Sequence, residues 1–113
     1  MDPAVAGGKA MEIFQLQAGL CKSLADPKRL MIIHELRDGA KSVAELAESL
    51  GLKQSNTSQH LAVLRKTGVV VPQRQNNAIY YSLSTPRIAA ACDMVREVIG
   101  EQLERSQTLI EAL

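Results

Sequence analysis

Residues 42–67 hold two short helical patterns with a glycine between them, and this pairing constrains the fold more than any other feature of the chain. Ser42-Val43-Ala44-Glu45 has the spacing of a capping box. In such a box the hydroxyl accepts from the N–H three residues on, and the carboxylate accepts from the capping residue's own N–H. The helix it opens runs to Leu50 and carries Val43, Leu46, Ala47 and Leu50 on one side. Gly51-Leu52 breaks it. A second helix is predicted from about Gln54 to Thr67, ending before Gly68, with Leu61, Leu64 and Thr57 facing inward. Two short helices joined by a tight glycine turn form a helix-turn-helix.

The flanks supply a scaffold for that pair. Residues 11–24 read as a helix with Phe14, Ala18 and Cys21 on one stripe and Leu16, Leu20 and Leu24 on the next. So broad an apolar surface implies packing on more than one side. Asp26-Pro27 is a helix start, because Asp accepts from free N–H groups and Pro fits the first turn. The helix over 27–37 presents Leu30, Ile33 and Leu36, broadened by Met31 and Ile32, and ends at Gly39. Val69-Val70-Val71 is β-branched, and Pro72 confines it to an edge. Asn76-Asn77 suits a tight hairpin turn before a return strand over 79–83. Thr85-Pro86 repeats the cap-then-proline start. The last helix runs from 87 to about 112, with Ile88, Cys92, Val95, Ile99 and Leu103 along one face. Its length outruns the core of so small a domain, and a dimer seam is the natural use of the surplus.

The chain has 113 residues, enough for one domain and too few for a large multidomain enzyme. Residues 1–10 read as a flexible tail and 11–113 as the folded unit. No stretch approaches the roughly 18 apolar residues of a membrane span. The first ten residues lack the basic and apolar regions of a signal peptide. Two cysteines are too few for a secreted disulfide scaffold. The expectation is a cytoplasmic protein. No Gly-rich phosphate loop, catalytic triad or paired catalytic carboxylates are present, so an enzyme is not expected.

The formal charge of +1 conceals its distribution. Residues 1–50 carry net −1 and residues 88–113 net −3. Residues 51–87 hold Lys53, Arg65, Lys66, Arg74 and Arg87 with no Asp or Glu, net +5. That basic block coincides with the second helix and the hairpin. Phosphate attraction follows the local field, so near-neutrality overall does not exclude nucleic acid. Gln54, Ser55, Ser58 and Gln59 share the exposed N-terminal half of the helix. Short hydroxyls and amides suit base edges, and this end of such a helix enters the major groove. His60, beside Leu61, is a further candidate contact, with a hydrogen bond inside the helix-turn-helix as the alternative. Arg74, Asn76 and Asn77 would bring the hairpin to the duplex as a wing. The competing readings are a solvated polar face and an ordinary charged hairpin, which would leave a protein-interaction module without DNA binding.

Three blocks in order, AGLCKSLADPKRLMIIHEL, SVAELAESLGLKQSNTSQHLAVLRKTGVV and RQNNAIYYSLS, resemble the ArsR/SmtB family of repressors over nearly all of residues 18–85. The resemblance implies a mainly α fold with a small β-hairpin: a winged helix-turn-helix with N- and C-terminal dimerisation helices. It implies a homodimer through residues 11–24 and 87–112. It further implies repression from a palindromic, double-stranded operator, with release by an inducer that the chain does not identify. Bases would be read by Gln54, Ser55, Ser58 and Gln59, with Arg74 to Asn77 approaching the duplex. Lys53, Arg65, Lys66 and Arg74 would attract phosphate.

The family's sensor sites are not reproduced. The arsenic-type Cys pair is missing from SVAELAES, and the zinc-type positions fall on Thr85, Arg87, Val98 and Glu101, of which only Glu101 ligates metals. No metal or other cofactor is expected. Cys21 and Cys92 lie on the two dimerisation helices, where a bridge would couple redox state to dimer geometry. The family's two-Cys sensors place their pair near His34 and Gly100 instead. Small apolar residues on a helix seam are one alternative reading of both cysteines, and an intersubunit metal or arsenical site is another. His34 reads as a partly buried, hydrogen-bonded histidine.

Overall fold

A computed structural model describes residues 8–112. Helix α1 is Lys9–Ser23, α2 is Pro27–Leu36, β1 is Lys41–Ser42, α3 is Val43–Leu50, α4 is Gln54–Lys66, β2 is Val70–Gln75, β3 is Ala78–Leu83 and α5 is Pro86–Glu111. Residues 1–7 of the expected tail lie outside the described residues. Lys9 and Ala10 are already helical, so α1 starts two residues before its sequence signal.

The helix starts form through the hydrogen bonds their sequences offer. The Asp26 carboxylate accepts from the Lys28 and Arg29 N–H groups at 2.8 and 3.2 Å, with Pro27 behind it. Ser42 Oγ accepts from Glu45 N–H at 3.1 Å, and Glu45 Oε1 accepts from Ser42 N–H at 3.2 Å, completing the capping box. Thr85 Oγ1 accepts from Arg87 N–H at 3.2 Å and opens α5. Between α3 and α4, Gly51 takes the left-handed conformation, φ 66° and ψ 34°, which is strained for residues with a Cβ.

The sheet has one strand more than the hairpin. Its order is β1-β3-β2, all antiparallel. β2 and β3 pair from Val70↔Leu83 to Gln75↔Ala78, leaving Asn76 and Asn77 as the two-residue loop. Asn76 has φ 56°, a conformation its side chain tolerates. Pro72 lies in an edge strand, where its missing N–H breaks no central ladder. β1 adds Lys41↔Tyr81 and Ser42↔Tyr80 on the other side of β3.

One core joins these pieces. Ile32, Ile33 and Leu36 of α2 meet Leu46 of α3, Leu61 and Leu64 of α4, and Val69 and Val70. Leu24, Val43, Leu50, Tyr81, Leu83, Ile88 and Cys92 pack around them. Burying one such aliphatic side chain stabilises by roughly 1.5–3 kcal/mol. Leu30 and Met31, expected on the inner face of α2, are each 41% exposed. The buried stripe runs through Ile32, Ile33 and Leu36 instead, because α3 and α4 approach from that side.

The first and last helices contribute little to this core. Ser23 is the buried residue of α1 and Ala89 that of α5. At about 1.5 Å per residue, the 26-residue α5 spans about 39 Å. Past Asp93 every described residue of α5 is exposed. Among the described residues, no helix is long and apolar enough to cross a membrane.

Candidate nucleic-acid interface

The buried positions of α4 orient everything else on it. Thr57, Leu61 and Leu64 are fully buried, and Thr57 Oγ1 donates to the Lys53 carbonyl at 2.9 Å. With that side anchored to the core, Gln54, Ser55, Ser58 and Gln59 are exposed together at the start of the helix. Lys53 precedes them, exposed, and no side chain caps the first turn of α4. The N-terminal dipole and its free N–H groups therefore face the same side as the amides and hydroxyls. Arg65 and Lys66 are exposed in the last turn.

The hairpin extends this surface. Arg74, Asn76 and Asn77 are exposed at and beside its tip. Gln73 and Gln75 are exposed as well. Gln75 lies inside the 74–77 span that the resemblance assigns to the wing, whereas sequence reasoning passed over Gln73, although an amide beside Arg74 is itself a polar signal.

The ion pairs among the described residues are Arg37–Asp93, Arg96–Asp93 and Lys41–Glu35. None draws on Lys53, Arg65, Lys66 or Arg74. These cations are thus left to act on an external anion. The acidic surface lies elsewhere, chiefly on α5.

His60 stands apart from the exposed set. It is half-buried, and Arg29 lies 3.4 Å from its Nδ1. Arg only donates, so in this contact Nδ1 is the acceptor. His34, expected to be partly buried, is exposed, with Arg37 at 3.2 Å from its Nδ1.

The two cysteines are both free thiols. Cys21 is exposed on α1, whereas Cys92 packs against the core. Burial pushes the Cys92 thiol up, outweighing the nearby Arg96 charge. Its thiolate fraction, and hence its reactivity, is lowered. Among the described residues no group of three or more His, Cys, Asp or Glu is arranged to hold a metal ion.

Two helices set across a left-handed glycine, a β-hairpin following the second, and an acid-free face shared by both define a winged helix-turn-helix, a class of DNA-binding domain. Residues 26–71 match the family described as bacterial regulatory protein, arsR family. The chain is 39% identical over 102 residues to the HTH-type transcriptional regulator Rv0081 of Mycobacterium tuberculosis, covering 89% of this chain and 90% of that one. The crystal structure of Rv0081 superposes with a TM-score of 0.75, covering 83% of this chain and 95% of that chain. The transcriptional repressor BigR from Xylella fastidiosa superposes with a TM-score of 0.67 at 33% identity, covering 87% of this chain and 96% of that chain. The homodimeric winged helix-turn-helix DNA-binding domain of Mb0332 from Mycobacterium bovis gives 0.79 at 26% identity, covering 87% and 91%. The chain belongs to the arsR family of DNA-binding transcriptional regulators.

Proposed function

We propose that two copies of this chain bind an inverted-repeat operator and repress the adjoining genes until an inducer releases them. Each copy places the start of α4 in a major groove, where Gln54, Ser55, Ser58 and Gln59 meet base edges. Lys53, Arg65, Lys66 and Arg74 draw in phosphate, and Asn76 and Asn77 bring the wing to the backbone. The observation that carries this reading is the acid-free face itself, with cations that no carboxylate among the described residues engages.

Dimerisation rests on a second observation. Phe14, Leu16, Val95, Ile99 and Leu103 are large apolar side chains exposed on α1 and α5. Val95, Ile99 and Leu103 recur every four residues along one face of α5, and an exposed apolar stripe of this kind marks an interaction site. A two-fold dimer covers it and presents two α4 helices to symmetric half-sites. The homodimeric state of the Mb0332 domain supports the same arrangement. A protein acting on DNA in this way works in the cytoplasm. Burial raises the Cys92 thiol and lowers its reactivity, so a thiol switch is not part of this reading. As its relatives are transcriptional regulators, no catalytic role is proposed.

The test is selection of duplexes from a random pool, followed by affinity measurement across salt. Recovery of an inverted repeat, with affinity falling steeply as salt rises, is expected. Failure to bind any duplex at low salt would sink the proposal and favour a protein-interaction module.

A further inference from the structure

α1 is attached to its own protomer at one end. Ser23, at its last turn, is 4% exposed, while residues 11–22 are exposed throughout. Three elements meet at this serine. Its hydroxyl donates to the Leu20 carbonyl at 2.6 Å and accepts from Thr67 Oγ1 at 3.0 Å. Thr67 is the residue that closes α4. Its single proton has longer alternatives at the Leu64 and Val63 carbonyls, 3.3 and 3.5 Å away. The Ser23 carbonyl accepts from Arg29 Nε at 2.5 Å. The same guanidinium reaches His60 in the middle of α4. The C-terminal end of α1 therefore holds α4 directly at its C-cap, and indirectly at its central turn through Arg29 of α2.

We infer that this joint of Ser23, Arg29, His60 and Thr67 positions the recognition helix relative to the dimer helix, and so sets the half-site spacing that two copies read. The inference rests on the dimeric, DNA-reading function proposed above. Reading two half-sites requires the two α4 helices to be held about one helical turn of DNA apart. α1 offers its exposed face to the second copy, so its direction is set by the dimer. Any such setting reaches the core through residues 23 and 24, and Ser23 hands it to α4 through directional hydrogen bonds. Leu24 packs on the core without comparable directionality. Ser23, Arg29 and Thr67 act here as positioning residues, through α4 and not on the DNA.

The experiment uses the full chain and the duplexes it selects, remade with the centre lengthened or shortened by two base pairs. The wild type should discriminate strongly among these spacings. Thr67→Val and Ser23→Ala should bind the selected spacing about five- to ten-fold more weakly, the scale of one net hydrogen bond. They should discriminate the altered spacings much less, with the salt slope unchanged. Thr67→Ser, which keeps the hydroxyl, should behave as wild type. An equal loss on every spacing, or full discrimination retained, would overturn the inference. A second measurement is independent of DNA. Spin labels at Ser58→Cys, in a chain carrying Cys21→Ser and Cys92→Ala, report the distance between the two α4 helices. That distribution should be narrow with the joint intact and broadened by Thr67→Val or by Arg29→Lys. An unchanged distribution counts against the joint even if the wild type selects no DNA, a result that would reject the functional reading alone.

Discussion

Arg37 and Asp93 are 56 residues apart in sequence and meet in a two-pronged ion pair that fastens the end of α2 to α5, with Nη1 donating to Oδ1 at 3.1 Å. Arg96, one turn further along α5, donates to the same Oδ1 at 2.9 Å. This is the last polar tie between α5 and the body of the protomer before the helix runs free. The Arg37 hydrogen bond and charge hold the Asp93 carboxyl below its usual range, with Arg96 adding to the effect. A carboxyl whose folded pKa is depressed stabilises the fold above its unfolded pKa, and that contribution is lost as pH falls through the folded value. Arg37 is shifted upward and stays charged throughout. Asp93→Asn should therefore melt earlier than wild type at pH 7, and the gap should close as the pH is lowered through the carboxylate range. Thermal melts of the two proteins from pH 7 to pH 3 check this. A gap that persists undiminished at the acid end would show that the charge is not its source. High salt should narrow the gap at neutral pH, since both side chains are partly exposed.

Gly51 supplies a backbone test. Its left-handed φ of 66° turns α3 into α4, yet a Cβ added there would meet nothing within 4 Å. Any cost of a substitution is thus conformational and not steric crowding by neighbours. Gly51→Ala should destabilise by about 1–2 kcal/mol, the left-handed penalty for a residue with a Cβ. Gly51→Asn should cost less, because Asn enters this region more readily. Denaturant titrations of the three proteins measure both values. Equal stability of Gly51→Ala and wild type would contradict the argument.

The helix starts were legible because their hydrogen bonds are local. Asp26, Ser42 and Thr85 each bond to N–H groups two or three residues on, so the signal and its partner share one window. Gly51 and Asn76 were legible for the same reason, being the residue types that tolerate a positive φ. β1 was not, since two residues, Lys41 and Ser42, carry no strand pattern and pair only because β3 is alongside. Which stripe of α2 is buried was half-legible: the apolar face was wider than the contact, and only α3 and α4 decide that Leu30 and Met31 stay outside. The exposed side of α4 followed from Thr57, Leu61 and Leu64, and the block from 51 to 87 without acids was visible in the letters alone. The Arg29–His60 and Ser23–Thr67 contacts join residues 31 and 44 apart, beyond any local window. The sequence accordingly left His60 open between a DNA contact and an internal hydrogen bond, and it could not name Arg29 as the partner.

The apolar faces of α1 and α5 predict where the dimer breaks. Phe14 is 56% exposed and Leu103 66% exposed in the isolated protomer, although neither exposure serves the fold of one chain. Phe14→Glu or Ile99→Glu would bury an unpaired charge in the seam. Each should weaken dimerisation by about thirty-fold or more, the scale of losing one hot-spot residue. Helix content should hardly change. Sedimentation velocity across a dilution series reads the dissociation, and circular dichroism reads the fold. A variant that stays dimeric at low concentration would place the interface elsewhere. Operator affinity should fall with dimerisation, because a monomer reaches one half-site only.

In the proposed mode of binding, Lys66 and Gln59 separate the two components of DNA recognition on a single helix. Both are exposed on α4, Gln59 nearer its start and Lys66 at its last residue. A phosphate contact gains free energy by releasing counterions, whichever base pair lies beneath it. A base contact gains it only where donors and acceptors match. Lys66→Ala should therefore weaken binding to selected and random duplexes alike, and reduce the salt slope by about 1. Gln59→Ala should leave the slope in place and lose about 1–3 kcal/mol of preference for one base pair in each half-site. Fluorescence anisotropy on the selected duplex and its single-base variants, at several salt concentrations, distinguishes the two patterns. If Lys66→Ala changed neither affinity nor slope, the basic end of α4 would face away from the duplex. If Gln59→Ala kept full base preference, reading would rest on Gln54, Ser55 and Ser58.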